Sequence, residues 1–347
     1  MKNKSYITDC EGPLTLNDNA YELADYFIKD GGELFKILSL YDDYLVDVVK
    51  KENYKAGNTL KLILPFFFNV GLTNEDMVNF SRNNIFILEN SKELLNYIKE
   101  NMNHYIVSTS YGQYIEALCN YMEFPFENTF YTKVDVDVSI KDDEKQQIQK
   151  FKKQILENPE NYKLFDEIFF KEIPKMSFYD SIKDIEVIGG EGKKIAIEKI
   201  IANNNINKNQ ILYIGDSITD VEPLEFVKNN NGISISFNGN KYSIKAAEIA
   251  IVSKSAIASL LIADLYNQNN KQVVLDFIKD YNSSDNIKEL LDNYKITDYT
   301  KDNFLNTFNK DNYPLIKIID EDNFDNIVNI SSKMRNNIRG QNIGELG

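Results

Sequence analysis

The sequence predicts an α/β protein in which a mostly parallel β-sheet is covered by helices on both faces. Short apolar segments alternate along the chain with segments of helical periodicity. Parallel strands need a long crossover, which is usually a helix, so this alternation favours a parallel sheet. Five apolar segments are predicted as strands: Ser5–Thr8, Tyr105–Ser108, Ile211–Ile214, Ile233–Ser236 and Ile249–Val252.

Helical periodicity dominates the stretch from Asp18 to about Glu100, and Asp18 is a suitable N-cap for its first helix. Two later helices are predicted over residues 141–156 and 193–202. Helices and strands therefore follow one another along most of the chain.

Other parts of the chain are less regular. The segment Thr129–Val138 alternates like one strand or a pair of strands. Residues 163–188 show no clear pattern. The chain from Ala256 onward is polar and helix-prone, and the tail after Arg335 is predicted to be loose.

The composition disfavours several classes of protein. The chain has 347 residues and a formal net charge of −14. Proteins whose main partner is nucleic acid or an anionic membrane need a basic surface, so neither partner is expected. The most apolar run, residues 60–72, is shorter than the ~20 residues of a membrane helix, so no membrane insertion is expected. Two cysteines, Cys10 and Cys119, cannot form a disulfide scaffold, which favours a reducing cytoplasm.

Acidic residues follow two of the predicted strands. Asp9 and Glu11 come directly after the first strand, and Asp216 and Asp220 follow the strand that ends at Ile214. In a parallel sheet, ligands bind beyond the carboxyl ends of the strands, so these acids are expected to converge. Converging carboxylates repel one another and call for a bound cation. Because the candidate ligands are oxygens and His and Cys are almost absent, that cation is predicted to be Mg²⁺.

A phosphoryl group is the substrate that such a site suits. Its transfer requires that negative charge be neutralised and that the attacking group be held in line. Ser108, at the end of the second predicted strand, offers a hydroxyl to a phosphoryl oxygen. Lys193 follows a glycine-rich stretch at a predicted helix start and offers a positive charge, with its neighbour Lys194 as the alternative.

The order of these motifs resembles the haloacid dehalogenase (HAD) superfamily of phosphohydrolases, above all its phosphoserine phosphatase-like branch. The motifs are Asp9-x-Glu11-Gly12, a strand ending in Ser108, Lys193, and Gly215-Asp216-x-x-x-Asp220. Residues 7–18 also resemble an archaeal subgroup whose members are sometimes labelled subunit R of an energy-converting hydrogenase A. The resemblance implies a HAD-like Rossmannoid sheet with helices on both faces, a helical cap domain and Mg²⁺ as the cofactor.

The resemblance also implies a role for each motif residue. Asp9 would attack phosphorus to form an aspartyl-phosphate, and Glu11 would protonate the leaving group and then activate water. Ser108, Thr109 and Lys193 would hold the phosphoryl oxygens. The metal site would consist of Asp9, Glu11, Asp216 and Asp220, with Glu11 contributing its backbone carbonyl and Asp220 supporting the metal.

Two residues depart from the family pattern. Glu11 stands where the family usually has an aspartate, and the added methylene shifts the carboxyl by about an ångström, a displacement that can cost ~100-fold in rate. Pro13 stands where Thr or Val is common. Either change is compatible with slower turnover, an altered substrate, or a site that binds phosphate without hydrolysing it.

The predicted domains follow from the positions of the motifs. The core domain is expected to comprise residues 1–16, 104–130 and 189–265. Residues 17–103 are expected to form the helical cap, 131–188 a second insertion, and 266–347 a C-terminal helical extension that offers a docking surface for a protein partner.

The leading functional hypothesis is a Mg²⁺-dependent phosphatase that acts on a small phosphorylated metabolite in the cytoplasm. The first alternative is a non-catalytic or regulatory subunit of a larger, hydrogenase-type complex that retains the phosphatase fold. The second is a phosphotransferase that passes the phosphoryl group to an acceptor other than water. The set of four acids at positions 9, 11, 216 and 220 favours an enzyme.

Overall fold

The computed structural model describes residues 2–344, and within them seven strands form one sheet in the order β3-β2-β1-β4-β5-β6-β7. The strands are β1 (Ser5–Thr8), β2 (Asn103–Tyr111), β3 (Thr129–Thr132), β4 (Ile211–Gly215), β5 (Ile233–Phe237), β6 (Ile249–Val252) and β7 (Leu315–Ile318). All neighbouring strands are parallel except β6 and β7, which pair antiparallel. The predicted Rossmannoid sheet is therefore confirmed, with an antiparallel edge strand added to it.

Helices account for most of the remaining chain. Between β1 and β2 lie α1 (Asn19–Phe27), α2 (Gly31–Asp43), α3 (Thr59–Leu62), α4 (Leu64–Val70), α5 (Asn74–Asn83) and α6 (Ser91–Asn101). Between β2 and β6 lie α7 (Gly112–Met122), α8 (Asp142–Glu157), α9 (Tyr162–Glu167), α10 (Asp180–Lys183), α11 (Glu191–Asn204), α12 (Val221–Asn229) and α13 (Lys241–Ala246). After β6 come α14 (Ile257–Gln268), α15 (Lys271–Ser283), α16 (Ile287–Asn293), α17 (Asp298–Thr307), α18 (Phe324–Arg339) and α19 (Gln341–Gly344).

The central strands place their carboxyl ends side by side. Thr8 at the end of β1 pairs with Ile106 on β2 and with Ile214 on β4. Every residue of β1, β4, β5 and β6 is buried, as expected for strands covered by helices on both faces. The residues that follow β1 and β4 therefore emerge next to each other at one edge of the sheet.

A second hydrophobic cluster is formed mainly by helices between β1 and β2 and by the chain that follows β3, and Tyr111 of β2 also packs in it. Side chains between residues 20 and 77 pack there with side chains between residues 136 and 182. The aromatic run Phe66, Phe67 and Phe68 is fully buried in this cluster. By contrast, Leu94, Leu95 and Ile98 of α6 pack in the main cluster with the sheet. The division of the chain into domains stays a prediction.

The structure differs from the sequence prediction over residues 133–138. Only Thr129–Thr132 forms a strand, and the following residues are irregular. Asn74 explains the difference, because its side chain accepts a hydrogen bond from the backbone N–H of Val136 and donates one to Asp135. The first contact satisfies a backbone N–H that a strand would have paired in a sheet.

The C-terminal region also differs from the prediction. Strand β7 was not predicted, and the chain after Arg335 is not loose at first, since α18 continues to Arg339. Ile327, Ser331 and Arg335 are buried and lie four residues apart, so one face of α18 packs against the protein. Within residues 2–344 no helix is long and apolar enough to cross a membrane.

Candidate active site

Asp9 lies at the centre of the edge where the parallel strands end. It follows β1 directly and is 5% exposed. Its Oδ1 accepts a hydrogen bond from the backbone N–H of Cys10 at 2.7 Å, and its Oδ2 accepts one from Lys193 Nζ at 2.6 Å. Burial raises the pKa of Asp9 to about 7; the charge of Lys193 opposes this shift, and the nearby carboxylates of Asp220 and Asp216 add to it.

Lys193 near the start of α11 is the lysine that enters the site. It is fully buried, and its Nζ donates to Asp9 Oδ2 and, at 2.7 Å, to Asp220 Oδ1. Burial alone lowers the pKa of an ammonium group, but the carboxylates of Asp220 and Asp9 outweigh it and raise the pKa of Lys193 above its ordinary value. Lys194 is only half-buried and has no part in these contacts.

Asp220 is held on both carboxylate oxygens. Its Oδ1 accepts hydrogen bonds from Lys193 and, at 2.6 Å, from the hydroxyl of Tyr213. Its Oδ2 accepts the backbone N–H groups of Asp216 and Ser217, each at 3.0 Å. Burial raises the pKa of Asp220, but Lys193 and these donors lower it below its ordinary value. Asp220 thus fixes the turn after β4 as well as the position of Lys193.

The geometry of this cluster fits a divalent cation. Asp9, Asp216 and Asp220 are all buried, and each offers one carboxylate oxygen within 4.8 Å of the others. Mg²⁺ prefers such oxygen ligands, and it needs few of them from the protein because it keeps waters and substrate oxygens in its shell. Gly12 is required beside the cluster, since its φ is +100° and a Cβ there would lie 2.3 Å from Asp216 Oδ2.

Two arginines that were not predicted reach the same cluster from α18. Arg335 Nη1 donates to Oδ2 of Asp216 and, at 3.2 Å, to its backbone carbonyl. Arg339 Nη1 donates to the same Oδ2 at 3.1 Å. Both side chains are about 5% exposed. The available sequence signal was the rarity of arginine, since the chain has only Arg82, Arg335 and Arg339.

Glu11 lies on the side of the site that faces the start of α1. Its Oε1 accepts a hydrogen bond from the backbone N–H of Asn19 at 2.7 Å, at the start of α1. Burial raises the pKa of Glu11 well above its ordinary value, and the carboxylate of Asp18 adds to this effect. The protonated form that burial favours is the form that a proton donor needs.

The residues at the end of β2 complete the wall of the site. Ser108 is fully buried, and its Oγ accepts the backbone N–H of Ser110 at 3.2 Å. Thr109 and Ser110 line the adjacent cavity. The Oγ1 of Thr109 is buried and has no hydrogen-bond partner in the part of the chain that the structure describes. An orphaned buried hydroxyl at this position is suited to an incoming oxyanion.

A cavity of about 100 Å³ lies over Asp9, between the sheet edge and helices α2 and α18. Its lining combines residues of the sheet edge with residues of α2 and α18: Asp9, Glu11, Asp18, Phe35, Ser39, Asp42, Asp43, Leu60, Thr109, Ser110, Asp216, Arg335 and Arg339. A cavity of this size holds several waters or a small oxyanion, because one water needs only about 10–15 Å³. Helices α2 and α18 therefore contribute directly to the walls around Asp9.

Comparisons with known proteins agree with this architecture. A profile of haloacid dehalogenase-like hydrolases matches residues 76–256. The solved structure of gene product AF1437 from Archaeoglobus fulgidus is similar in fold, with a TM-score of 0.83, 24% identity and coverage of 99% of each chain. Because this match extends beyond the family profile, the C-terminal region belongs to the shared fold.

More distant structures include two hydrolases. A phospho-aspartyl intermediate analogue of phosphoserine phosphatase matches with a TM-score of 0.47 and 15% identity over 72% of this chain and 93% of the other. A HAD family hydrolase from Salmonella enterica matches with a TM-score of 0.46 and 12% identity over 69% of this chain and 63% of the other. A comparison with curated proteins finds no match. The family profile covers more than half of the chain, and the protein belongs to the haloacid dehalogenase-like hydrolases.

Proposed function

We propose that the protein is a Mg²⁺-dependent phosphatase that hydrolyses a small phosphorylated metabolite through an aspartyl-phosphate on Asp9. One observation carries the proposal: Asp9 lies at a strand end, paired with buried Lys193 and clustered with Asp216 and Asp220. This arrangement provides a nucleophile, a fixed positive charge and a set of oxygen ligands in one place.

The metal would be held by the carboxylates of Asp9 and Asp216 and by the backbone carbonyl of Glu11. Asp220 would support it from outside, because both of its oxygens already accept hydrogen bonds from the protein. When bound, Mg²⁺ supplies positive charge to the phosphoryl oxygens and to the developing transition state.

The chain's own residues would carry out the proton and phosphoryl transfers. The Asp9 carboxylate attacks phosphorus, the bond from phosphorus to the leaving oxygen breaks, and Glu11 gives that oxygen its proton. Glu11, now ionised, takes a proton from water, and the resulting hydroxide attacks phosphorus. The bond to Asp9 breaks, and inorganic phosphate leaves with the Asp9 carboxylate restored.

The phosphoryl oxygens would be held by Ser108, Thr109 and Lys193. The ammonium group of Lys193 lies 2.6 Å from Asp9 Oδ2, so it favours the ionised form of Asp9 against the effect of burial and orients the carboxylate. The buried Thr109 hydroxyl, which has no partner within residues 2–344, supports the role of Thr109. The small volume of the cavity favours a small substrate, and the two buried free cysteines are compatible with a reducing cytoplasm.

The test is a screen of phosphorylated metabolites with Mg²⁺, with wild type, Asp9→Asn and the control Asp285→Asn. Asp285 is exposed, so its substitution removes the same charge away from the site. We expect Mg²⁺-dependent release of phosphate by wild type and Asp285→Asn, with a loss of at least about 1000-fold in Asp9→Asn. Equal turnover by Asp9→Asn would remove Asp9 from the mechanism.

A further inference from the structure

Arginine is rare in this sequence. The sequence has 39 Lys and Arg residues together, of which only Arg82, Arg335 and Arg339 are arginines. Two of these three lie on one face of α18 and meet at Asp216. Arginine differs from lysine because its planar fork matches the geometry of carboxylates and other oxyanions. At both positions a guanidinium group, whose planar fork lysine lacks, contacts the carboxylate of Asp216.

The two guanidinium groups change the charge of the site. With their carboxylates ionised, Asp9, Asp216 and Asp220 carry −3, and Lys193 returns +1. Arg335 and Arg339 add +2 and bring the cluster to zero. A divalent cation alone would then leave the cluster with an excess of +2, whereas a cation together with a phosphate dianion would leave it neutral. Within this cluster the two arginines therefore offset negative charge that would oppose the binding of an anion.

Arg339 is fixed in a position from which it reaches the cavity. Its Nε donates to the carbonyl of Leu16 at 3.2 Å, its Nη2 donates to the carbonyl of Asn17, and its Nη1 donates to Asp216. These bonds use three of the five N–H groups of a guanidinium. By this count, Nη1 and Nη2 each retain one N–H, and Arg339 lines the cavity over Asp9.

The other charged groups that line the cavity, among the described residues, are acidic. They are Asp9, Glu11, Asp18, Asp42, Asp43 and Asp216. An oxyanion that enters the cavity past these acidic groups needs a positively charged partner on the cavity wall. Only Arg335 and Arg339 supply such a charge in the described lining of this cavity.

We propose that Arg335 and Arg339 form an anion-binding wall, through which the C-terminal helix α18 recognises an oxyanion of the substrate. Arg335 holds Asp216 in place, and Arg339 donates to the oxyanion. This inference rests on the proposed function in that the substrate's phosphate enters the same cavity. It adds a specificity-determining contact from a helix that lies outside the motifs of the nucleophile, lysine and acids.

The experiment measures two affinities without turnover. Orthophosphate is titrated calorimetrically into the full chain in the presence of Mg²⁺, and Mn²⁺ is titrated in the absence of phosphate and followed by electron paramagnetic resonance. The variants are Arg339→Gln, Arg339→Lys and the matched control Arg82→Gln, which removes an exposed arginine.

We expect opposite shifts in the two affinities. Arg339→Gln weakens orthophosphate binding about 10- to 100-fold, the range of a charge-assisted hydrogen bond. It strengthens Mn²⁺ binding about threefold or more, because a nearby positive charge is removed. The orthophosphate affinity of Arg339→Lys should lie between those of wild type and Arg339→Gln, since lysine keeps the charge but loses the forked guanidinium geometry. Both affinities of Arg82→Gln should match those of wild type. A general loss of structure would weaken both affinities.

Three results would overturn the proposal: no orthophosphate binding by wild type, an unchanged orthophosphate affinity in Arg339→Gln, or a weakening of both affinities. Because neither titration depends on hydrolysis, the proposal can fail while the phosphatase activity stands. The reverse also holds, since a chain that hydrolyses nothing can still bind phosphate through Arg339.

Discussion

Lys193 Nζ and Asp9 Oδ2 lie 2.6 Å apart although 184 residues separate them in the chain. The contact joins the loop after β1 to the start of α11, and Asp220 Oδ1 lies within 2.7 Å of the same Nζ. A fully buried lysine is costly unless it is paired, and here two carboxylates pair with it. The contact therefore contributes to the stability of the fold and also orients the carboxylate of Asp9.

The first prediction concerns this lysine. Lys193→Met leaves Asp9 and Asp220 buried without their cation, and breaking such a pair costs about 3–5 kcal/mol. We expect the free energy of unfolding, measured with urea, to fall by an amount of this order. Lys194→Met removes the neighbouring, half-buried lysine and should leave it unchanged. Equal effects of the two substitutions would show that the buried pairing is not what stabilises this region.

The second prediction concerns Gly12, which lies in the turn that follows Asp9. Gly12→Ala would place a Cβ 2.3 Å from Asp216 Oδ2, so we expect it to displace that carboxylate and to weaken Mn²⁺ binding about tenfold or more. Gly71→Ala is the control, because Gly71 also has a positive φ, +72°, but its Cβ would meet nothing within 4 Å. If both variants bind Mn²⁺ like wild type, Asp216 is not a ligand that Gly12 keeps in place.

The third prediction assigns proton donation to Glu11. Glu11→Gln can still accept the Asn19 N–H but cannot give up a proton, so kcat for an alkyl phosphate should fall about 100- to 10,000-fold. The loss should be much smaller for p-nitrophenyl phosphate, because its leaving group departs without a proton. The comparison of kcat for the two substrates is the measurement. An equal loss for both would mean that Glu11 positions the site and donates no proton.

The fourth prediction concerns pH and stability. Burial raises the pKa of Asp43 to about 7, and the carboxylates of Asp42 and Asp47 add to burial. The folded chain therefore holds this proton more tightly than the unfolded chain. The contribution of protonated Asp43 to the free energy of unfolding is fully present below the ordinary carboxyl pKa. This contribution is lost as pH rises through about 7.

Asp43→Asn should consequently gain stability relative to wild type as pH rises from 4 to 8. Melting temperatures at several pH values measure this difference, with exposed Asp285→Asn as the control that should show no such trend. A constant difference across the pH range would contradict the raised pKa of Asp43.

Much of the site at the sheet edge could be predicted because short apolar strands, and the residues that follow them, are visible in the local sequence. Asp9 and Asp216 each follow a short apolar run, and the sheet order places β1 beside β4. The sequence also predicted that the second strand ends at Ser108. In the structure β2 continues to Tyr111, so that boundary was wrong. The choice between Lys193 and Lys194 needed the structure, since only burial separates them.

Other features depend on contacts that no local pattern encodes. Arg335 and Arg339 contact Asp216 across more than 100 residues, whereas the sequence prediction placed Arg339 in a loose tail. Strand β7 has only four residues and gains its stability from pairing with β6. In the same way, residues 133–138 leave the strand pattern because of Asn74, which lies far away in the chain.

The most direct test of the central claim is to trap the phosphorylated enzyme. The chain is mixed with Mg²⁺ and a substrate from the screen, quenched in acid and reduced with borohydride, which converts an aspartyl-phosphate to homoserine. Mass spectrometry of the peptide that contains residue 9 then locates the product. We predict homoserine at position 9 in wild type and none in Asp9→Asn. Turnover accompanied by a label at another residue, or by no label, would contradict the account.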